Sequence, residues 1–167
     1  FWNEENIIVT LWEIDIHPAT GQVDRLGQTV ANRATELGFV ELESVHTARG
    51  FLLEGNLTEA AANRLATELF ADGIVERTLV APVGDPRLGQ HPVSEGRPAG
   101  ALVHVMLKPG VMDPVAQSAL AAIAEFGIDT QAVRTLHKYW LSGPHAESLD
   151  NAFLDKLCGK VLANDSI

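Results

Sequence analysis

Two stretches of this chain, residues 12–55 and 103–143, carry the same landmarks in the same order, and that repetition limits the folds open to it. Ile14, Ile16 and Pro18 answer Val105, Leu107 and Pro109 at an offset of 91, whereas Glu36-Leu37-Gly38 answers Glu125-Phe126-Gly127 at an offset of 89. The change of offset places two extra residues in the first loop of the first copy. Val45 and Gly55 then answer Val133 and Gly143, and Leu65, Ala71 and Asp72 answer Leu157, Ala163 and Asn164. Elements that keep their order while loops change length mark a duplicated small unit. Two copies are too few for a stacked array, so the pair is expected to pack as a built-in dimer.

Each copy, at roughly 70–80 residues, is near the lower limit for an independent core, and packing the two together buries far more. With 46% apolar and 20% charged residues, the make-up is that of a folded protein. Twelve Lys and Arg against twenty-two Asp and Glu leave a net charge of −10, with no basic run. A nucleic-acid backbone or an anionic membrane is therefore not expected as a partner. No segment reaches the ~20 apolar residues a membrane helix needs, and Phe1–Asn6 lacks the basic flank and apolar core of a signal peptide. With Cys158 as the single cysteine, the chain is expected in the cytoplasm. The absence of an initiator Met suggests an excerpt of a longer polypeptide.

Alternation at Trp12, Ile14 and Ile16 against Glu13, Asp15 and His17 predicts a half-buried strand with a solvated acidic face. In residues 133–141, Val133, Tyr139 and Leu141 share one parity and Leu136 and Trp140 the other. A strand apolar on both faces is expected under helices on one side and under a second sheet or subunit on the other. Helical periods lie between the strands. Leu26, Val30, Ala34 and Leu37 follow Asp24 and stop at Gly38; Ala119, Leu120, Ile123 and Phe126 follow the cap Asp113-Pro114 and stop at Gly127. Later helices start near Asn56-Leu57-Thr58-Glu59 and carry Leu149, Phe153, Leu157 and Val161. Residues 74–80 close the first copy as a strand.

The expected fold class is thus α+β: two tandem ferredoxin-like βαββαβ units packed as a pseudo-dimer, the second lacking its last strand. The expected boundaries are residues 8–80, a linker at 81–100 holding four of the eight prolines, and 101–167.

A search for chemistry returns little. None of the six histidines is paired at i+3 or i+4, so no metal site follows; His104 and His137, both in expected strands, could face one another. Cys158 beside Leu157 reads as a small helix hydrophobe, and no GxSxG elbow or glycine-rich phosphate loop occurs. Glu13 and Asp15 form a carboxylate pair on paper but read as a solvated face. Asn56-Leu57-Thr58 and Asn164-Asp165-Ser166 match the glycosylation sequon and read better as cap and turn residues. No catalytic residue, cofactor site or metal ligand is assigned.

Three separated blocks carry a resemblance. Leu107-Lys108-Pro109-Gly110-Val111-Met112-Asp113-Pro114, Val133-Arg134-Thr135-Leu136-His137-Lys138-Tyr139 and Leu157-Cys158-Gly159-Lys160-Val161-Leu162-Ala163-Asn164 resemble the LKxxVLDPxG, VRxGKxxEL and CxKLLAN patterns of the PurS family. The first copy keeps the layout, but His17-Pro18-Ala19-Thr20 and Ala48-Arg49-Gly50 depart from the first two blocks. The resemblance implies a non-catalytic component of phosphoribosylformylglycinamidine synthase in purine biosynthesis. Such a component bridges the glutaminase that releases ammonia and the ATP-dependent synthetase that consumes it. A tandem version resembles the N-terminal region of larger PurL-type chains. The interface residues it implies here are Arg134, His137, Lys138, Tyr139 and Trp140. The alternative is a ferredoxin-like regulatory domain holding a small metabolite between the copies. Self-association through the unpaired sheet edge of the second copy, with the β-branched stretch at residues 6–10 as a rival filler, is also expected.

Overall fold

A computed structural model describes residues 10–90, 92, 100–145 and 149–163. The chain runs β1 (Thr10–Pro18), α1 (Arg25–Glu36), β2 (Ser44–Gly55), α2 (Glu59–Leu65), β3 (Glu76–Pro82), β4 (Ala101–Met106), α3 (Pro114–Glu125), β5 (Ala132–Ser142) and α4 (Asn151–Leu157). The strands form one antiparallel sheet in the order β3-β1-β2-β5-β4. The fold is α+β and compatible with a ferredoxin-like plan, with a difference: β2 and β5 run unbroken, so the expected split of each middle strand into two does not occur. Residues 6–9 and 164–167, on which the edge-filling stretch and the second sequon fall, lie outside the described residues.

Local chemistry explains the helix starts. The Asp24 carboxylate accepts from Gly27 N at 2.7 Å and also from Thr47 N at 2.6 Å and Thr47 Oγ1 at 2.8 Å, tying the start of α1 to β2. Asp113 repeats the arrangement for α3, accepting from Ala116 N, Thr135 N and Thr135 Oγ1. Thr58 and Asp150 cap α2 and α4. Both later helices end in a π turn, Ala66–Phe70 and Cys158–Leu162, closed by Ala71 N to Ala66 O and Ala163 N to Cys158 O. The helix stops fall on Gly38 and Gly127, whose φ values of 87° and 72° suit glycine.

Gly27 has a different reason. A Cβ there would lie 2.4 Å from Val45 O, so α1 can approach β2 only without a side chain. Although Ala outranks Gly in a helix by ~1 kcal/mol, Gly27→Ala is expected to lower stability by about 1–3 kcal/mol, read as a lower urea midpoint at unchanged slope.

All four helices cover one face of the sheet. Their packing crosses the middle of the chain. Leu65 and Ala66 of the first half share a cluster with Ala119 and Ile123 of α3 over Ile14 and Leu53. Val30 and Ala34 of α1 share another with Leu157 and Leu162 under Tyr139 and Leu141. Arg64 lies over the Phe126 ring, 5.3 Å from its centroid, on the α2–α3 contact. Leu26 and Leu37, placed on the α1 stripe by periodicity, are exposed.

The opposite face carries the second apolar parity of β5, and no second sheet covers it among the described residues. A part of the Pro/Gly-rich stretch does so instead: Pro86–Gly89 forms a 3₁₀ turn that buries Leu88.

The ladder also corrects the alignment of the halves. Ile14 stands opposite Phe51 and Val103 opposite Tyr139, and Phe51 and Tyr139 share the 88-residue offset of Val45 and Val133. Ile14 therefore answers Val103 rather than Val105, and the two extra loop residues vanish.

Candidate functional site

Odd-numbered residues of β1 and even-numbered residues of β5 face away from the helices, and there they build a buried polar cluster. Glu13, Asp15 and His17, expected in solvent, are 5%, 0% and 3% exposed. The reason lies 123 residues away: Lys138, itself 0% exposed, reaches across β2. The ladder pairs Lys138 with Ala48 and Asp15 with Gly50, so the β2 residues between them are small. Lys138 Nζ donates to Asp15 Oδ2 at 2.6 Å and to Leu88 O at 2.9 Å. Glu13 Oε1 touches the same ammonium without hydrogen-bond geometry. The Trp140 ring lies beside His17, tilted by 39° with ring centroids 5.3 Å apart, and its Nε1 donates to Gly89 O at 3.4 Å.

The cluster binds three parts of the chain together: β1, β5 and the 82–90 segment. It also shifts protons. Burial pushes the Asp15 carboxyl up to about 7, against the pull of Lys138 and with the repulsion of Glu13. Burial, then the charges of Arg77 and Lys138, bring the His17 imidazole down to about 4. Asp15 Oδ1 and His17 Nδ1 have no hydrogen-bond partner.

The five residues implied as an interface differ in burial. Arg134 and His137 are exposed, whereas Lys138, Tyr139 and Trp140 are buried inside the chain. His137 lies on the helix-bearing face, paired with Arg49, which donates to both Glu76 oxygens and to Phe70 O. Burial and the Arg49 charge lower its pKa. His104 pairs with Lys138 and points to the other face, so His104 and His137 do not meet. Cys158 is half-buried in the π turn, where burial and then Asp155 push its thiol up.

One signal in the sequence pointed to the missed cluster. Lys138 sits between Leu136 and Trp140 on one strand parity, and a lysine flanked there by two large apolar side chains needs a carboxylate partner.

Among the described residues no group of three or more His, Cys, Asp or Glu is placed to hold a metal ion, and no helix is long and apolar enough to cross a membrane. Small clefts line the loop after β1 (about 360 Å³; His17, His46, Arg77) and the loop after β4 (about 290 Å³; Lys108, Arg134).

Fold and site together define an α+β domain in which one sheet, helix-covered on one face, is bolted on the other by a buried ion cluster. Residues 100–167 match the family model PurS, described as phosphoribosylformylglycinamidine (FGAM) synthase, which supports kinship of that stretch with PurS proteins. No curated protein matches the chain.

Proposed function

We propose that the chain is a non-catalytic bridging module of FGAM synthase, holding the glutaminase and the ATP-dependent synthetase in register for ammonia transfer. The PurS match carries this reading. It covers only the second half, and the extension to the first half rests on shared construction. Asp24 and Asp113 make the same cap and strand bonds, the π turns recur, and β2 pairs with β5 about a centre at Arg49 and His137, which are equivalent at the 88-residue offset. On this reading the halves, residues 8–80 and 101–167, are two PurS-like units forming a pseudo-dimer through one continuous sheet, within a larger PurL-type chain. The role suits the architecture. Ammonia protonates or escapes in bulk water, so its source and sink must be held in fixed relation. A sheet bolted on both faces supplies the rigidity. Partner contacts then fall to exposed groups such as Arg134 and His137.

Removing this region from the full enzyme is expected to abolish glutamine-dependent synthesis while the ammonia-dependent reaction suffers less. The isolated chain is expected to turn over neither glutamine nor ATP. Steady-state assays with glutamine and with ammonium salts check both, and glutamine hydrolysis by the isolated chain above background would overturn the reading.

A second reading, a metabolite-binding regulatory domain, draws support from a cleft of about 420 Å³ in the first half, lined by Asp24, Arg49 and Glu76, to which the second half contributes His137. A metabolite that raises the melting temperature of the isolated chain would favour it.

A further inference from the structure

The ion cluster is asymmetric in a frame that is otherwise repeated. At the offsets fixed by the ladder, Glu13, Asp15 and His17 of the first half answer Leu102, His104 and Met106 of the second, and Lys138 of the second answers Gly50 of the first. One half supplies two carboxylates and no ammonium, and the other supplies the ammonium and neither carboxylate. The β2–β5 seam, being antiparallel and centred on equivalent residues, would close with the same backbone hydrogen bonds between two first halves or two second halves of different chains.

The geometry points to a selective seam: Glu13, Asp15 and Lys138 make the first half pair with a second half and reject a second copy of itself. Two first halves would bury four carboxylates facing Gly50 and its twin. Two second halves would bury two ammonium groups against leucine and histidine. Removing one partner of a buried pair is far more damaging than exchanging the whole cluster for apolar residues, so like pairing is penalised on both sides. The pairing observed buries every charge of the cluster beside its opposite. The inference rests on the pairing of equivalent halves and is independent of the bridging role. It gives the cluster the task of suppressing swapped oligomers, a standing hazard for duplicated chains.

The seam offers its own reporter. Arg49 and His137 face one another at its centre, so like pairing of second halves sets residue 137 against residue 137, within the Cα separation a disulfide accepts. The full chain carrying C158S and H137C is unfolded, refolded over a range of concentrations under mild oxidation, and the disulfide-linked dimer is measured. With the native cluster the dimer is expected to stay at the level of protein never unfolded. With E13L/D15V/K138M, which leaves no charge to reject a like half, it is expected to rise about tenfold. The sign-exchanged E13Q/D15K/K138D restores complementarity and is expected to return it to the native level. Equal dimer from the native and apolar clusters, or as much from the sign-exchanged as from the apolar one, would overturn the proposal. Should the apolar variant fail to fold, E13Q/D15K against E13Q/D15K/K138D is the same test, with K138D required to lower the dimer. R49C/H137C in the C158S chain separates the two levels of the argument. If it forms no disulfide within one chain, the pairing of the halves is wrong, whatever the cluster does.

Discussion

Lys138→Met is expected to destabilise the chain by about 3–5 kcal/mol, because it leaves Glu13 and Asp15 buried without a cation. The cost comes from leaving two buried carboxyl groups without their donor, borne as stranded charge on Glu13 or as proton uptake by Asp15, and not from losing a favourable pair. Exchanging the whole cluster, in E13L/D15V/K138M, is therefore expected to be neutral or stabilising by comparison with the native chain, even though it changes three buried residues. The two variants part by several kcal/mol, and urea unfolding at pH 7 measures both. A Lys138→Met chain as stable as the native one would show that Glu13 and Asp15 escape to water. The loss should also appear as one transition. The α2–α3 and α1–α4 clusters join the halves on one face, and the cluster joins β1 to β5 on the other. A second, independent unfolding step in the native chain would contradict that coupling.

Much of the fold was legible because its signals are local. Asp24, Asp113-Pro114 and Thr58 announce helix starts by side-chain capping, and Gly38 and Gly127 announce the stops. Alternation placed β1, and the two apolar parities of residues 133–141 placed β5, for the same reason. Register was not legible. Strand alternation has period two, so sliding one copy by two residues leaves every apolar side chain on its face, and Ile14 and Ile16 match Val105 and Leu107 as well as they match Val103 and Val105. Only hydrogen bonding to a fixed neighbour distinguishes the two. The site shows the same limit. Glu13 and Asp15 alternate with Trp12 and Ile14 as a solvated face would, and nothing within the first copy says that this face is covered. Its cover comes from Lys138 and Leu88, far along the chain. The stretch at residues 81–100 reads as a linker because it has no period, yet one turn of it buries Leu88, since a single side chain and a single carbonyl need no period to pack.

The second large effect lies in the pH dependence of stability, where two neighbours on β1 oppose each other. Asp15 rises from its ordinary 3.8 to about 7 in the folded chain, so its contribution is greatest below 3.8 and is lost as pH rises through 7. His17 falls from 6.5 to about 4, so its contribution is present above 6.5 and is lost as pH falls through 4. Between pH 4 and 6.5 the folded state holds one extra proton on Asp15 and lacks one on His17, and the two slopes, each at most ~1.4 kcal/mol per pH unit, cancel. Single substitutions uncover them. Asp15→Asn leaves the histidine alone, and its stability is expected to climb by about 3 kcal/mol from pH 4 to 6.5. His17→Gln leaves the carboxyl alone, and its stability is expected to fall by about 4 kcal/mol from pH 4 to 7. Carboxylates elsewhere in the chain add the same background to every profile, so the difference between the variants isolates the pair. Urea midpoints at half-unit pH steps test this, and parallel profiles for Asp15→Asn and His17→Gln would mean that neither group is held out of water as their burial on β1 requires.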